Sequence, residues 1–105
     1  MAPAHDVDGF AATLASRSEH TRRAYAHDAR EFARWCERGG CPDLRALDHR
    51  TLRRYLAYLT TRGFSRATIG RKAAAVRAYA RFLRRRGVIE HSVAGQLRSP
   101  RGPRR

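Results

Sequence analysis

The chain has 105 residues, 23 Lys+Arg against 9 Asp+Glu, a net charge of +14 and an isoelectric point near 11.6. That length suits one small domain and is too short for most enzymes that enclose a substrate between layers. No apolar run reaches the ~18 residues of a membrane helix, the start MAPAHDVDGF lacks a leader pattern, and Cys36 and Cys41 are too few for a disulfide framework, so a cytosolic domain with a polyanionic partner is expected.

Val7, Phe10, Ala11 and Leu14 recur at i, i+3, i+4 and i+7 and predict a short amphipathic first helix over about 6–16. Ser18 offers an N-cap hydroxyl, with Glu19 in the first turn complementing the helix dipole. The second helix carries Ala24, Tyr25, Ala29, Phe32, Trp35 and Cys36 on one broad face, and Gly39-Gly40 stops it. Cys41-Pro42-Asp43 reads as a turn. Asp48 caps a third helix with Leu52, Tyr55, Leu56 and Leu59 at helical spacing and Gly63 as terminator. Ser65 caps the fourth and longest, whose stripe is Ile69, Ala73, Val76, Ala80 and Leu83, with Tyr79 and Phe82 beside it and Gly87 at its end. Gly70 inside this helix costs about 1 kcal/mol against alanine, which suggests a close approach to the backbone there. A short fifth helix is a candidate over 91–97. Residues 98–105, RSPRGPRR, have no apolar side chain and read as a linker or tail after a domain spanning 1–97. No strand-like alternation reaches useful length, so the expected fold is a compact all-α bundle of four main helices.

Arginine supplies all but one of the basic residues, Lys72 being the exception; such a bias fits a GC-rich coding sequence and does not create net charge. The charge is graded, −2 over residues 1–20, +5 over 21–64 and +11 over 65–105, so the C-terminal half is the electrostatic footprint. A repeated design has one copy near the N-terminus and one within that footprint. Ser18-Glu-His-Thr-Arg-Arg and Ser65-Arg-Ala-Thr-Ile-Gly-Arg-Lys each place a serine cap, a threonine three residues on, and then adjacent basic side chains. A helix N-terminus can receive a phosphate, and basic residues one turn in can reach base edges in a major groove. The alternative for both is plain capping beside a solvated basic face.

Other signals are weaker. His-x-x-Arg occurs at His20/Arg23 and His27/Arg30, a pairing expected by chance in so arginine-rich a chain. The C-x₄-C spacing of Cys36 and Cys41 lacks a second ligand pair for zinc, and Cys36 reads as a buried apolar residue. The acids read as isolated caps or surface charges. No phosphate loop, nucleophile elbow or metal-binding helix motif occurs, and no cofactor is expected. Tyr25, Tyr55 and Tyr79 lie on apolar stripes; Tyr58 falls off the main stripe and is the freest aromatic.

Ser18-x-x-Thr21-x-x-Ala24-Tyr25-x-x-Asp28-x-x-x-Phe32 resembles the second helix of the N-terminal core-binding domain of Xer-type tyrosine recombinases and related phage integrases. The stretch from Ser65-x-Ala67-Thr68-Ile69-x-Arg71 through Ala74-Ala75-Val76-Arg77-x-Tyr79-x-x-Phe82-Leu83 to Gly87-Val88-Ile89 resembles its fourth helix and the following turn. Similarity covers about residues 5–100. Ser92-Val93 stands where the family pattern has Asn-Pro or Asp-Pro, and Ser99-Pro100-Arg101 resembles the lead into its interdomain linker.

The resemblance implies an orthogonal SAM-like bundle that forms half of a clamp on double-stranded DNA, its second and fourth helices facing the major groove of a recombination half-site. Carried onto matching positions, the candidate DNA contacts are Thr21, Arg22, Arg23 and His27 on the second helix and Ser65, Arg66, Thr68, Arg71 and Lys72 on the fourth. Arg71, one turn into its helix, is the candidate for a base edge, and the rest are candidates for phosphate. The resemblance also implies, as partners, a catalytic domain downstream in the same parent chain and neighbouring protomers in a recombinase tetramer. The first helix would touch the latter, although Phe10 and Leu14 also fit a core. The family's catalytic residues lie in that downstream domain, so this region is expected to bind DNA in the bacterial cytoplasm without cutting it. A basic RNA-binding or ribosome-associated protein, or an adaptor for an acidic protein, remains open on composition.

Overall fold

The structure is a computed structural model that describes residues 6–89. Its frame is four helices, α1 (Val7–Ala12), α2 (Glu19–Trp35), α3 (His49–Thr61) and α4 (Arg66–Arg85), and no strand occurs among the described residues. Each long helix starts on the side chain that its spacing predicts. Ser18 Oγ accepts from Thr21 N–H, Asp48 Oδ1 from Thr51 N–H and Ser65 Oγ from Thr68 N–H, all at 3.1 Å. Each satisfies an orphan amide of the first turn, an effect typically of about 1 kcal/mol.

α2 packs against α1 and α4, while α3 closes against α4 and the turn after α2. An aromatic chain runs through the interior and ties all four helices. Phe10 of α1 lies 5.3 Å from the ring of Tyr79 on α4; Tyr79 meets Phe32 of α2 at 6.4 Å; and Phe32 meets Tyr55 of α3 edge-on at 4.9 Å. Phe10 and Leu14 are therefore core residues.

α1 is shorter than its apolar period suggests. After Ala12 the chain tightens into i→i−3 bonds, Thr13 N–H to Phe10 O and Leu14 N–H to Ala11 O, and Thr13 Oγ1 also donates to Phe10 O at 2.7 Å. Leu14 keeps its buried place without remaining in an α-helix. α2 ends in a π-helical turn, Cys36–Gly40, where Gly39 takes φ 122°, and Cys41 N–H closes the turn on Cys36 O. At Gly40 a Cβ would stand 2.6 Å from the Trp35 ring, so both glycines have a mechanical reason. A short 3₁₀ turn, Leu44–Ala46, then leads into α3.

Tyr58 is not the freest aromatic. It is half-buried, stacked on Tyr55 at 6.1 Å, and its hydroxyl accepts from Arg62 Nη1 at 2.7 Å. The exposed one is Phe64, on the loop between α3 and α4. The candidate fifth helix over 91–97 and the basic tail over 98–105 lie outside the described residues. No described helix is long and apolar enough to cross a membrane.

Candidate nucleic-acid interface

The two serine motifs fold alike. In each, the serine hydroxyl accepts the threonine amide and donates to the threonine Oγ1, at 3.0 Å for Ser18–Thr21 and 3.1 Å for Ser65–Thr68. The serine hydroxyls are spent on the cap, yet both helix starts face solvent. α3 uses the same spacing with an acid: Thr51 Oγ1 donates to Asp48 Oδ1 at 3.2 Å. Its N-terminus already holds a carboxylate, whose pKa those Thr51 bonds lower. Among the long helices α2 and α4 have uncharged caps, and of these only α4 has no acid in its first turn, since α2 carries Glu19 there.

Between these helices lies an open cleft of ≈ 780 Å³ lined by His20, Arg23, His27 and Arg30 of α2 and Arg71 of α4, with Glu19 and Ala24. Residues 20, 23, 27 and 30 step by three and four, so both His-x-x-Arg pairs fall on one stripe of α2. Of the expected contacts, Arg23, His27 and Arg71 come together here. Arg22 and Arg66 are exposed, Thr21 and Thr68 half-buried, and none of them lines this cleft. His20 and Arg30 join it without having been singled out as contacts; their spacing from Arg23 and His27 is the signal that identifies them. Arg23 also pairs with Glu19 at 2.9 Å, but both are well exposed, and such a surface pair exchanges readily. α4 contains no acid, and Arg66, Arg81 and Arg85 stand exposed along it.

Two expectations are corrected at the junction of α2 and α4. Asp28 is neither a cap nor a surface charge: it is 0% exposed. Lys72 is not a surface cation: it is 5% exposed, its Nζ 2.9 Å from Asp28 Oδ1 and 5.2 Å from the Phe64 ring centre. A carboxylate buried without a partner is costly, and the apolar faces of α2 and α4 bring this ammonium to it. Lys72 therefore leaves the set of groups that can meet a phosphate. Arg71 completes the triad, with Nε donating to Oδ2 at 3.0 Å and Nη2 to Oδ1 at 3.1 Å, while its side chain stays 46% exposed. Asp28 sits among Tyr25, Ala29 and Phe32, and Lys72 among Ile69, Val76 and Tyr79, so each lies on an apolar stripe of its helix.

Cys36 and Cys41 are buried free thiols, and burial pushes both pKa values up, so neither is poised as a thiolate. Among the described residues no group of His, Cys, Asp or Glu side chains is placed to hold a metal ion.

The model of the phage integrase N-terminal SAM-like domain matches residues 7–87. The chain is 38% identical over 88 residues to tyrosine recombinase XerC of Pseudomonas putida, covering 84% of this chain and 29% of that protein. It is 36% identical over 103 residues to tyrosine recombinase XerC of Azotobacter vinelandii, covering 95% and 34%. The protein of the same name from Mycobacterium bovis is 37% identical over 100 residues, covering 94% and 33%. The chain thus spans about a third of the length of these curated relatives. No solved structure gives a significant match.

Proposed function

Because the chain belongs to the phage integrase N-terminal SAM-like domain family, we propose that it is the DNA-binding module of a tyrosine recombinase, gripping the major groove of a recombination half-site through α2 and α4. The observation that carries this reading is the cleft in which Arg23, His27 and Arg71 converge, between two helices that both start on uncharged, solvent-facing caps. Arg22, Arg66, Thr21, Thr68 and the backbone of Ser65, whose hydroxyl stays with the cap, supply further contacts around the two helix starts, chiefly to phosphate. A helix fits the major groove of a duplex, and the large aromatics that an RNA reader would offer for stacking are mostly in the core here.

In this reading the chain holds DNA and leaves strand cleavage to a catalytic domain of the same parent protein. Residues 98–105 lead toward that domain, and protomers assemble around the recombining sites in the cytoplasm. Binding to short duplexes is tested by fluorescence anisotropy across a salt series. With about four to six phosphates neutralised, log K falls with log salt at a slope of about −4 to −5. A flat salt dependence, or tighter binding to structured RNA than to duplex, overturns the proposal.

A further inference from the structure

The Asp28–Arg71–Lys72 triad is built asymmetrically. Lys72 is enclosed, so its ammonium makes its contacts in the interior, whereas Arg71 reaches Asp28 from the cleft side. Satisfying Asp28 Oδ2 takes one hydrogen bond. Arg71 makes two to the carboxylate, side-on, through Nε and Nη2. A guanidinium is a rigid plane with five N–H donors, and this engagement uses two of them. The two on Nη1 and the outer one on Nη2 remain. One N–H of Nη1 and the outer one of Nη2 form the end-on edge that matches the O6 and N7 acceptors of guanine in a major groove.

Resting on the assignment of α2 and α4 as the DNA-facing helices, we infer that Asp28 is a positioning residue: it clamps Arg71 so that the Nη1/Nη2 edge reads a guanine. A free arginine would lose its rotamer freedom on engaging a base, and here the clamp takes up that loss on folding. Lys72 completes the design electrostatically. An Asp28–Arg71 pair alone would be neutral beside a polyanion, and a second cation leaves the triad with net positive charge.

The test uses the 105-residue chain to enrich short duplexes from a randomised library. The probes are the enriched duplex and a shuffled duplex of the same composition. The wild-type chain enriches a fixed guanine. Arg71→Lys keeps the charge but lacks the fork, so the preference for the guanine-bearing duplex over the shuffled one falls roughly tenfold or more. Asp28→Asn/Lys72→Met leaves the net charge unchanged and Arg71 unclamped, and it gives the same loss of preference. Asp28→Leu/Lys72→Met replaces it if the first pair fails to fold, because apolar substitution of a buried ion pair is often neutral or stabilising. Replacing the fixed guanine by 7-deazaguanine, which lacks N7, weakens wild-type binding and leaves Arg71→Lys unmoved. A folded double variant that keeps the guanine preference overturns the positioning role alone. No enrichment of any duplex by the wild-type chain overturns the DNA reading on which that role rests.

Discussion

Replacing Gly70 by alanine moves stability and binding in opposite directions. Gly70 is exposed one turn into α4, and a Cβ built there meets nothing within 4 Å. Glycine inside a helix costs about 1 kcal/mol relative to alanine, so Gly70→Ala stabilises the fold by about that amount. In a domain of this size such a gain raises Tm by roughly 4–8 °C. Nothing within the described structure uses the missing methyl, and its neighbours on the same face, Ala67 and Ala74, are also small. A helix with its side chains, about 10–12 Å across, nearly fills a major groove about 12 Å wide. In the proposed docking of α4, a methyl at this position holds the duplex away. Forcing a methyl into a filled contact costs about 1–3 kcal/mol, so duplex affinity falls roughly fivefold or more. Thermal unfolding followed by circular dichroism reads the first effect, and anisotropy at fixed salt reads the second. A lower or unchanged Tm refutes the open-space reading of Gly70. A raised Tm with unchanged affinity refutes the close approach of a duplex to this face of α4.

Phe32→Ala removes a fully buried ring in contact with Trp35, Tyr55 and Tyr79 and costs about 3–5 kcal/mol. That is a large share of a small domain's stability of about 5–15 kcal/mol, and a loss below ~2 kcal/mol in urea unfolding would contradict the central place given to this ring. Asp48 supplies a pH signature. The Thr51 amide and hydroxyl hold its carboxyl below the usual range, so the folded state binds fewer protons than the unfolded one in acid. The stability it contributes is present above the unfolded value of about 3.9 and is lost as pH falls through the lower folded value. Asp48→Asn still caps the helix but does not titrate, so it flattens the acid limb below about pH 4; urea midpoints that fall equally in both chains would refute this.

The parts of the fold legible in the sequence are those fixed by near neighbours. Ser18, Asp48 and Ser65 each act on an amide three residues on, and Gly63 and Gly87 end helices with φ of 88° and 81°. α1 was less legible because its apolar period continues past Ala12 to Leu14, and periodicity records burial rather than the hydrogen-bond pattern that carries the chain there. Tyr58 departs from its expected exposure for a related reason. Lying off the main stripe of α3 says nothing of a neighbour on another element, and Trp35 of α2 meets it at 6.1 Å.

The candidate site was legible in its charge and its helices but not in its centre. Asp28 and Lys72 stand 44 positions apart, and lysine is almost never buried unless paired, so Lys72 beside Arg71 reads as one more surface cation. Its register says otherwise. Ile69, Lys72, Val76 and Tyr79 recur at helical spacing, as do Tyr25, Asp28, Ala29 and Phe32 on α2. A lone charge on an apolar stripe must be neutralised, paired or turned outward. When two helices of one small domain each carry such a charge, of opposite sign, pairing between them satisfies both at once. That pairing also joins α2 to α4 at the point where Arg71 meets the same carboxylate. The buried contact of Lys72 and the half-exposed contact of Arg71 are then a single arrangement, with Asp28 as its common partner.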